Sequence, residues 1–173
     1  MPKTWLIADT HFGHSAIVGY EQRPFADAAQ MDEQLISNWN SAVGPEDQVF
    51  MLGDFALAPA GRVKELLATL HGRKTLILGN HDRGHSVSWW LEAGFAWASP
   101  YPILLDEFFM LSHEPLYVNA NMPYANIFGH VHGNPAYRDC SGQHFCVSAE
   151  RIGYAPIDFA KVKEAIAQAR AAG

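Results

Sequence analysis

The chain has 173 residues, 49% hydrophobic and 17% charged, which excludes a disordered or coiled-coil protein and fits one domain over residues 1–173. Its net charge of −6 argues against an extended basic nucleic-acid surface, and no apolar run reaches the ~18 residues of a membrane span. The apolar stretch at the start is too short for a signal peptide, and Cys140 and Cys146 lack Cys-x-x-Cys spacing, so a cytoplasmic protein with reduced thiols is expected.

Thr4-Trp5-Leu6-Ile7-Ala8 reads as a buried strand ending at Asp9. Met31, Leu35, Trp39 and Val43 recur every four residues, which predicts a helix stopping near Gly44-Pro45. Gln48 to Leu52 is a second strand, ending at Gly53-Asp54. Val63, Leu66, Leu67 and Leu70 give an amphipathic helix ending at Gly72. Lys74 to Leu78 is a third strand, ending at Gly79-Asn80. This alternation predicts an α/β domain with a largely parallel first sheet. A short helix is expected over Ser86 to Ala93. Beyond it, Phe95 to Ala98, Ile103 to Leu105, Phe108 to Leu111, Ile127-Phe128 and Phe145 to Val147 read as a second sheet with antiparallel pairing. A final helix starts near Asp158, a good N-cap, with Phe159, Val162 and Ile166 on its apolar face.

Five polar clusters follow these strands: Asp9-Thr10-His11, Gly53-Asp54, Gly79-Asn80-His81-Asp82, His113, and Gly129-His130-Val131-His132. Ligands in α/β folds collect at the carboxyl ends of strands. Carboxylate, imidazole and amide are the donor types of a mixed nitrogen/oxygen metal site. The glycines before Asp54, Asn80 and His130 let the backbone turn sharply there. Singly, each Asp or Asn also suits an ordinary turn; the ordered set is what points to metal binding.

In this order the motifs resemble the calcineurin-like metallophosphoesterase superfamily, across residues 9–132. The resemblance implies a four-layer α/β/β/α sandwich of two mixed sheets flanked by helices. It implies a first metal held by Asp9, His11 and His132, a second by Asn80, His113 and His130, and a bridge through Asp54. His81 would face the scissile phosphate, and Asp82 would orient the His81 ring by accepting its other N–H. A hydroxide bridging two divalent ions would attack phosphorus in line. Manganese suits this donor set best, with iron, zinc, nickel and cobalt as alternatives. The expected activity is hydrolysis of small phosphodiesters of the nucleotide or cyclic-nucleotide type; the rivals are a phosphomonoesterase and a non-catalytic scaffold.

Other residues are weighed beside this set. Asn80 and His81 are expected to touch substrate as well. His14 lines the pocket or is a loop residue. Arg23 and Arg83 contact phosphate or form surface salt bridges. Trp89-Trp90 offer a stacking wall or pack in the core.

Overall fold

The computed structural model describes residues 1–172. In chain order it begins β1 (Thr4–Ile7), α1 (Ser15–Tyr20), α2 (Ala28–Ala42), β2 (Gln48–Met51), α3 (Ala60–Thr69) and β3 (Arg73–Ile77). Next come α4 (Val87–Ala93), β4 (Trp97–Ser99), β5 (Ile103–Leu105), β6 (Phe109–Leu111) and β7 (Ala125–Phe128). The last elements are β8 (Cys140–Ser141), β9 (His144–Cys146), β10 (Ile157–Asp158) and α5 (Phe159–Ala172).

Two mixed five-stranded sheets result, ordered β10-β1-β2-β3-β4 and β5-β6-β7-β9-β8. Alternation along the strands of the first sheet splits their side chains between two cores. Ile7, Val49, Met51 and Leu76 face the apolar stripes of the flanking helices, Met31, Leu35 and Trp39 of α2 and Val63, Leu66 and Leu67 of α3. Leu6, Phe50, Leu52 and Ile77 face Leu111, Ile127 and Val147 of the second sheet, and α5 adds Phe159, Val162 and Ile166 to this inter-sheet core. Each fully buried aliphatic side chain contributes roughly 1.5–3 kcal/mol. The two sheets flanked by helices are the α/β sandwich expected from the sequence.

Helix starts follow local chemistry. Asp27 caps α2 by accepting from Gln30 N at 2.9 Å, while Gln30 Oε1 accepts from Ala26 N at 2.6 Å. Ser86 caps α4 through Trp89 N. Asp158 accepts from Ala160 N as expected of a cap, and its backbone also pairs with Trp5 in an antiparallel edge strand.

Two strand expectations are corrected. The segment around Trp97 joins the first sheet, with β4 parallel to β3, because α4 returns the chain as one more strand–helix–strand unit. The second sheet is antiparallel only at β5–β6 and β8–β9; β6–β7 and β7–β9 are parallel. The stretch from residue 112 to 124 is long enough for such a crossover, and apolar patterning alone carries no strand direction.

The sheets meet at one end. Ala8 N donates to Val147 O (2.9 Å), Ala149 N to Ala8 O (3.0 Å), and Asp9 N to Gly53 O (3.0 Å). Gly129 N donates to His113 O (2.9 Å). On this platform, these bonds join the Asp9 loop to the Gly53 loop and the His113 loop to the Gly129 loop, and Asp82 ties in the Gly79 loop by accepting from Asp54 N and Gly79 N.

Candidate metal centre

The platform brings together all seven side chains proposed from the sequence as ligands. His11 Nε2 lies 3.4 Å from Asp54 Oδ2, and His113 Nε2 lies 3.5 Å from the same oxygen. Asp54 therefore stands between two groups of donors. On one side, Asp9, His11 and His132 each aim a ligand atom within 4.8 Å of the others. On the other, Asn80 Oδ1 is 3.0 Å from His113 Nε2 and 3.1 Å from His130 Nδ1, and the two imidazole nitrogens are 3.1 Å apart.

The backbone supports this convergence at a cost. Asp9 (φ 59°), His11 (φ 52°), Asp54 (φ 56°), His130 (φ 68°) and His132 (φ 46°) all occupy the left-handed region. Such residues cost on the order of 1–3 kcal/mol each and persist only where the surroundings enforce them. The glycines act differently from the sequence expectation. Gly53 does take a positive φ of 89°, but Gly79 and Gly129 serve close approach: a Cβ at Gly79 would overlap Asp54, and one at Gly129 would overlap Ala8 and Asp9.

Imidazole orientation is set by the nitrogen facing away from the cluster. His113 Nδ1 donates to Leu52 O at 2.8 Å, leaving the Nε2 lone pair toward Asn80 and Asp54. His132 Nδ1 bonds Glu150 Oε1 at 3.0 Å. His11 Nδ1 and His14 Nδ1 are 3.1 Å apart, so a lone pair on His11 Nε2 requires His14 to accept.

Three buried side-chain atoms have no hydrogen-bond partner among the described residues: Asp9 Oδ1, His11 Nε2 and Glu150 Oε2. Orphaned buried polar atoms are costly. The first two belong to a set of carboxylate, imidazole and amide donors converging on one volume, and a divalent cation would satisfy them together. The electrostatics of the site agree in part. Burial pushes the Asp9 carboxyl up to about 6, against the opposing charges of His132 and His113. Burial pulls His11 and His130 down, which keeps their ligating lone pairs free. Burial would also pull His132 down, but the Glu150 hydrogen bond and the Asp9 and Glu150 charges outweigh it and raise the ring.

Two expected roles are corrected. Asp82 does not orient His81. Its Oδ2 accepts from Asp54 N (2.7 Å) and Gly79 N (2.8 Å), and its Oδ1 from Phe55 N (3.0 Å). It knits the Asp54 loop to the Gly79 loop and has no lone pair aimed at the ring beside it. Arg23 does not face a substrate. Its guanidinium is buried, bonding Asp9 O (2.7 Å), Thr10 O (2.9 Å) and Glu150 Oε1 (2.6 Å).

Among the remaining side chains, His81 is part-exposed at the rim, its Nε2 3.9 Å from Asp54 Oδ2. His14 stands beside it, their ring centroids 5.9 Å apart. Arg83 pairs with Glu114 at 2.8 Å on the surface. Trp90 is core and donates to Asp82 O, while Trp89 stacks on His85 at 3.8 Å. A cavity of about 570 Å³ opens beside His130 and His132.

Glu150 is the residue that sequence reasoning passed over. It links buried Arg23 to His132 and sits just past β9 and Val147, so the rule that flagged the other strand ends also reaches it.

The sequence profile of the calcineurin-like phosphoesterases matches residues 2–148. The chain belongs to that family. An uncharacterized protein of Methanocaldococcus jannaschii is 45% identical over 85 residues, covering 48% of each chain. The gene 66 protein of Mycobacterium phage L5 is 38% identical over 92 residues, covering 51% of this chain and 44% of that one. The chain thus spans about half the length of these curated relatives. The crystal structure of a protein of unknown function from Aquifex aeolicus has the same fold, with a TM-score of 0.71 over 95% of this chain and 99% of that one at 24% identity. No described helix is long and apolar enough to cross a membrane.

Proposed function

We propose that this chain is a binuclear-metal-dependent phosphoester hydrolase that prefers small phosphodiesters of the nucleotide or cyclic-nucleotide type. The observation that carries the reading is Asp54 Oδ2, set between His11 Nε2 at 3.4 Å and His113 Nε2 at 3.5 Å, with a donor group on either side. Asp9, His11 and His132 would hold one divalent ion and Asn80, His113 and His130 the other, with the Asp54 carboxylate available to both. Manganese fits the mixed donors best. When bound, such ions supply Lewis acidity toward phosphoryl oxygens and a water of lowered pKa.

The chain's own groups do the rest. The neutral imidazoles of His11 and His130 offer lone pairs without losing a proton first. Glu150 fixes the His132 ring. His81, free at the rim, hydrogen-bonds the phosphoryl or leaving oxygen and supplies the proton that a poor leaving group needs. Asn80 contributes its remaining amide hydrogens to the bound ester.

The test is direct. Manganese-reconstituted protein should hold close to two ions per chain by elemental analysis. It should hydrolyse bis-p-nitrophenyl phosphate with higher kcat/KM than p-nitrophenyl phosphate. A large preference for the monoester makes the protein a phosphomonoesterase; two bound metals without turnover make it a scaffold. His81→Ala should keep both metals and lose far more activity on a nucleotide ester than on a p-nitrophenyl ester. Loss of one metal would instead make His81 a ligand.

A further inference from the structure

The cavity beside His130 and His132 has two walls. One is the end of α1 and its turn, with Tyr20, Glu21 and Gln22; the other is the loop bearing Asn134 and Tyr137. Each wall is anchored from behind by an arginine. The Arg23 backbone closes the α1 turn onto Val18 O at 2.9 Å, while its guanidinium holds the Asp9 and Thr10 carbonyls. The Arg151 guanidinium donates to the carbonyls of His132, Asn134 (2.7 Å) and Tyr137 (3.0 Å) and to the Asp139 carboxylate (2.6 Å). The loop wall is therefore pre-organised, and both cations are spent on the scaffold.

What remains facing the cavity has a definite chemistry. Among the described residues no Lys or Arg lines it, and apart from the imidazoles its formal charge is the Glu21 carboxylate. Two tyrosines offer aromatic faces. Gln22 supplies an amide, and Asn134, whose Oδ1 is taken by Ala136 N, has its amide hydrogens left to donate. His130 and His132 belong both to the cavity wall and to the candidate metal cluster, so the cavity adjoins the place where a phosphoryl group would sit.

We infer that the cavity is the subsite for the nucleoside of the substrate ester, and that it discriminates against a second phosphate on that nucleoside; this rests on the phosphodiesterase reading above. Stacking on tyrosine faces suits a base of any identity. The amides and Glu21 can pair with base edges and ribose hydroxyls, whereas a further phosphate would meet the Glu21 carboxylate with no Lys or Arg lining the cavity to offset it. A volume of about 570 Å³ suits a group of nucleoside size and is loosely filled by a choline-sized one.

The experiment compares four p-nitrophenyl esters under manganese: those of thymidine 5′-phosphate, thymidine 3′,5′-bisphosphate (linked at the 5′ side), methyl phosphate and phosphocholine. Wild type should favour the thymidine ester over the methyl ester by about tenfold in kcat/KM, mostly through KM, and the added 3′-phosphate should cancel that gain. Tyr137→Ala should collapse the thymidine-to-methyl preference, and Glu21→Gln should restore turnover of the 3′-phosphorylated ester. Equal kcat/KM for the thymidine and methyl esters in wild type overturns the inference while leaving the hydrolase reading intact. So does preference for the phosphocholine ester, which would assign the cavity to a cation. If no ester is hydrolysed, the hydrolase reading fails, and saturation-transfer NMR of thymidine alone still decides the cavity: signal lost in Tyr137→Ala supports it, signal unchanged refutes it.

Discussion

Asp9 carries the tension between a metal site and a stable fold. Its carboxyl is fully buried, and burial, which disfavours the charge, pushes its pKa up to about 6 from an ordinary 3.8. A raised acid pKa means that the folded state binds the extra proton, so the penalty is full above the folded value and gone below the unfolded one. Asp9→Asn can still accept from His130 N, which bonds Oδ2 at 2.8 Å. In EDTA, urea melts should find the variant more stable than wild type at pH 7, by on the order of 3 kcal/mol, with the gap closing near pH 4. The same variant should bind manganese poorly. Equal stability at pH 7 would mean that the carboxylate is not strained when metal-free. Arg23 makes the opposite case. Arg23→Met strands two buried carbonyls and leaves the buried Glu150 carboxylate with His132 as its remaining side-chain partner, so it should cost about 3–5 kcal/mol in the same melts. A substrate contact, the role its sequence position suggested, would instead raise KM at unchanged stability.

At the scale of elements, the strand ends were legible because apolar runs stop abruptly at Asp9, Asp54 and Asn80 in the sequence. α2 and α3 were legible because Met31–Trp39 and Val63–Leu70 keep helical spacing. α1 was not, since a six-residue helix burying only Ile17 leaves almost no periodic signal. The direction of β6, β7 and β9 was hidden too, because inward-facing apolar residues look alike in parallel and antiparallel strands. Within the site, the ligands could be read as residue types, but the pairings of Asp82 and Arg23 span loops far apart in the chain and leave no local pattern. Spacing between elements is equally strict. A Cβ at Gly79 would come within 2.5 Å of Asp54 N and 2.9 Å of His113 Cε1, whereas one at Gly61 in α3 meets nothing within 4 Å. Gly79→Ala should therefore lose about 1–3 kcal/mol and weaken manganese binding by calorimetry. Gly61→Ala should gain up to about 1 kcal/mol with the metal site untouched. Comparable losses in both would show that the effect is not one of packing.

Over the whole molecule, positive charge is used as mortar. Arg23 and Arg151 are bonded to the scaffold, Arg83 is paired with Glu114, and the chain as a whole is acidic, with a net charge of −6. A phosphate arriving before any metal meets Asp9, Asp54 and Glu21. On the hydrolase reading, the expected consequence is an order of events: metal first, anion second. Metal supply would then act as the first input of a two-input gate, with substrate alone unable to occupy the site. Calorimetry with inorganic phosphate reads this order. Metal-free protein should give no binding heat, and the same titration after manganese loading should saturate. Phosphate binding of similar strength in EDTA would break the order and point to a cationic anchor elsewhere.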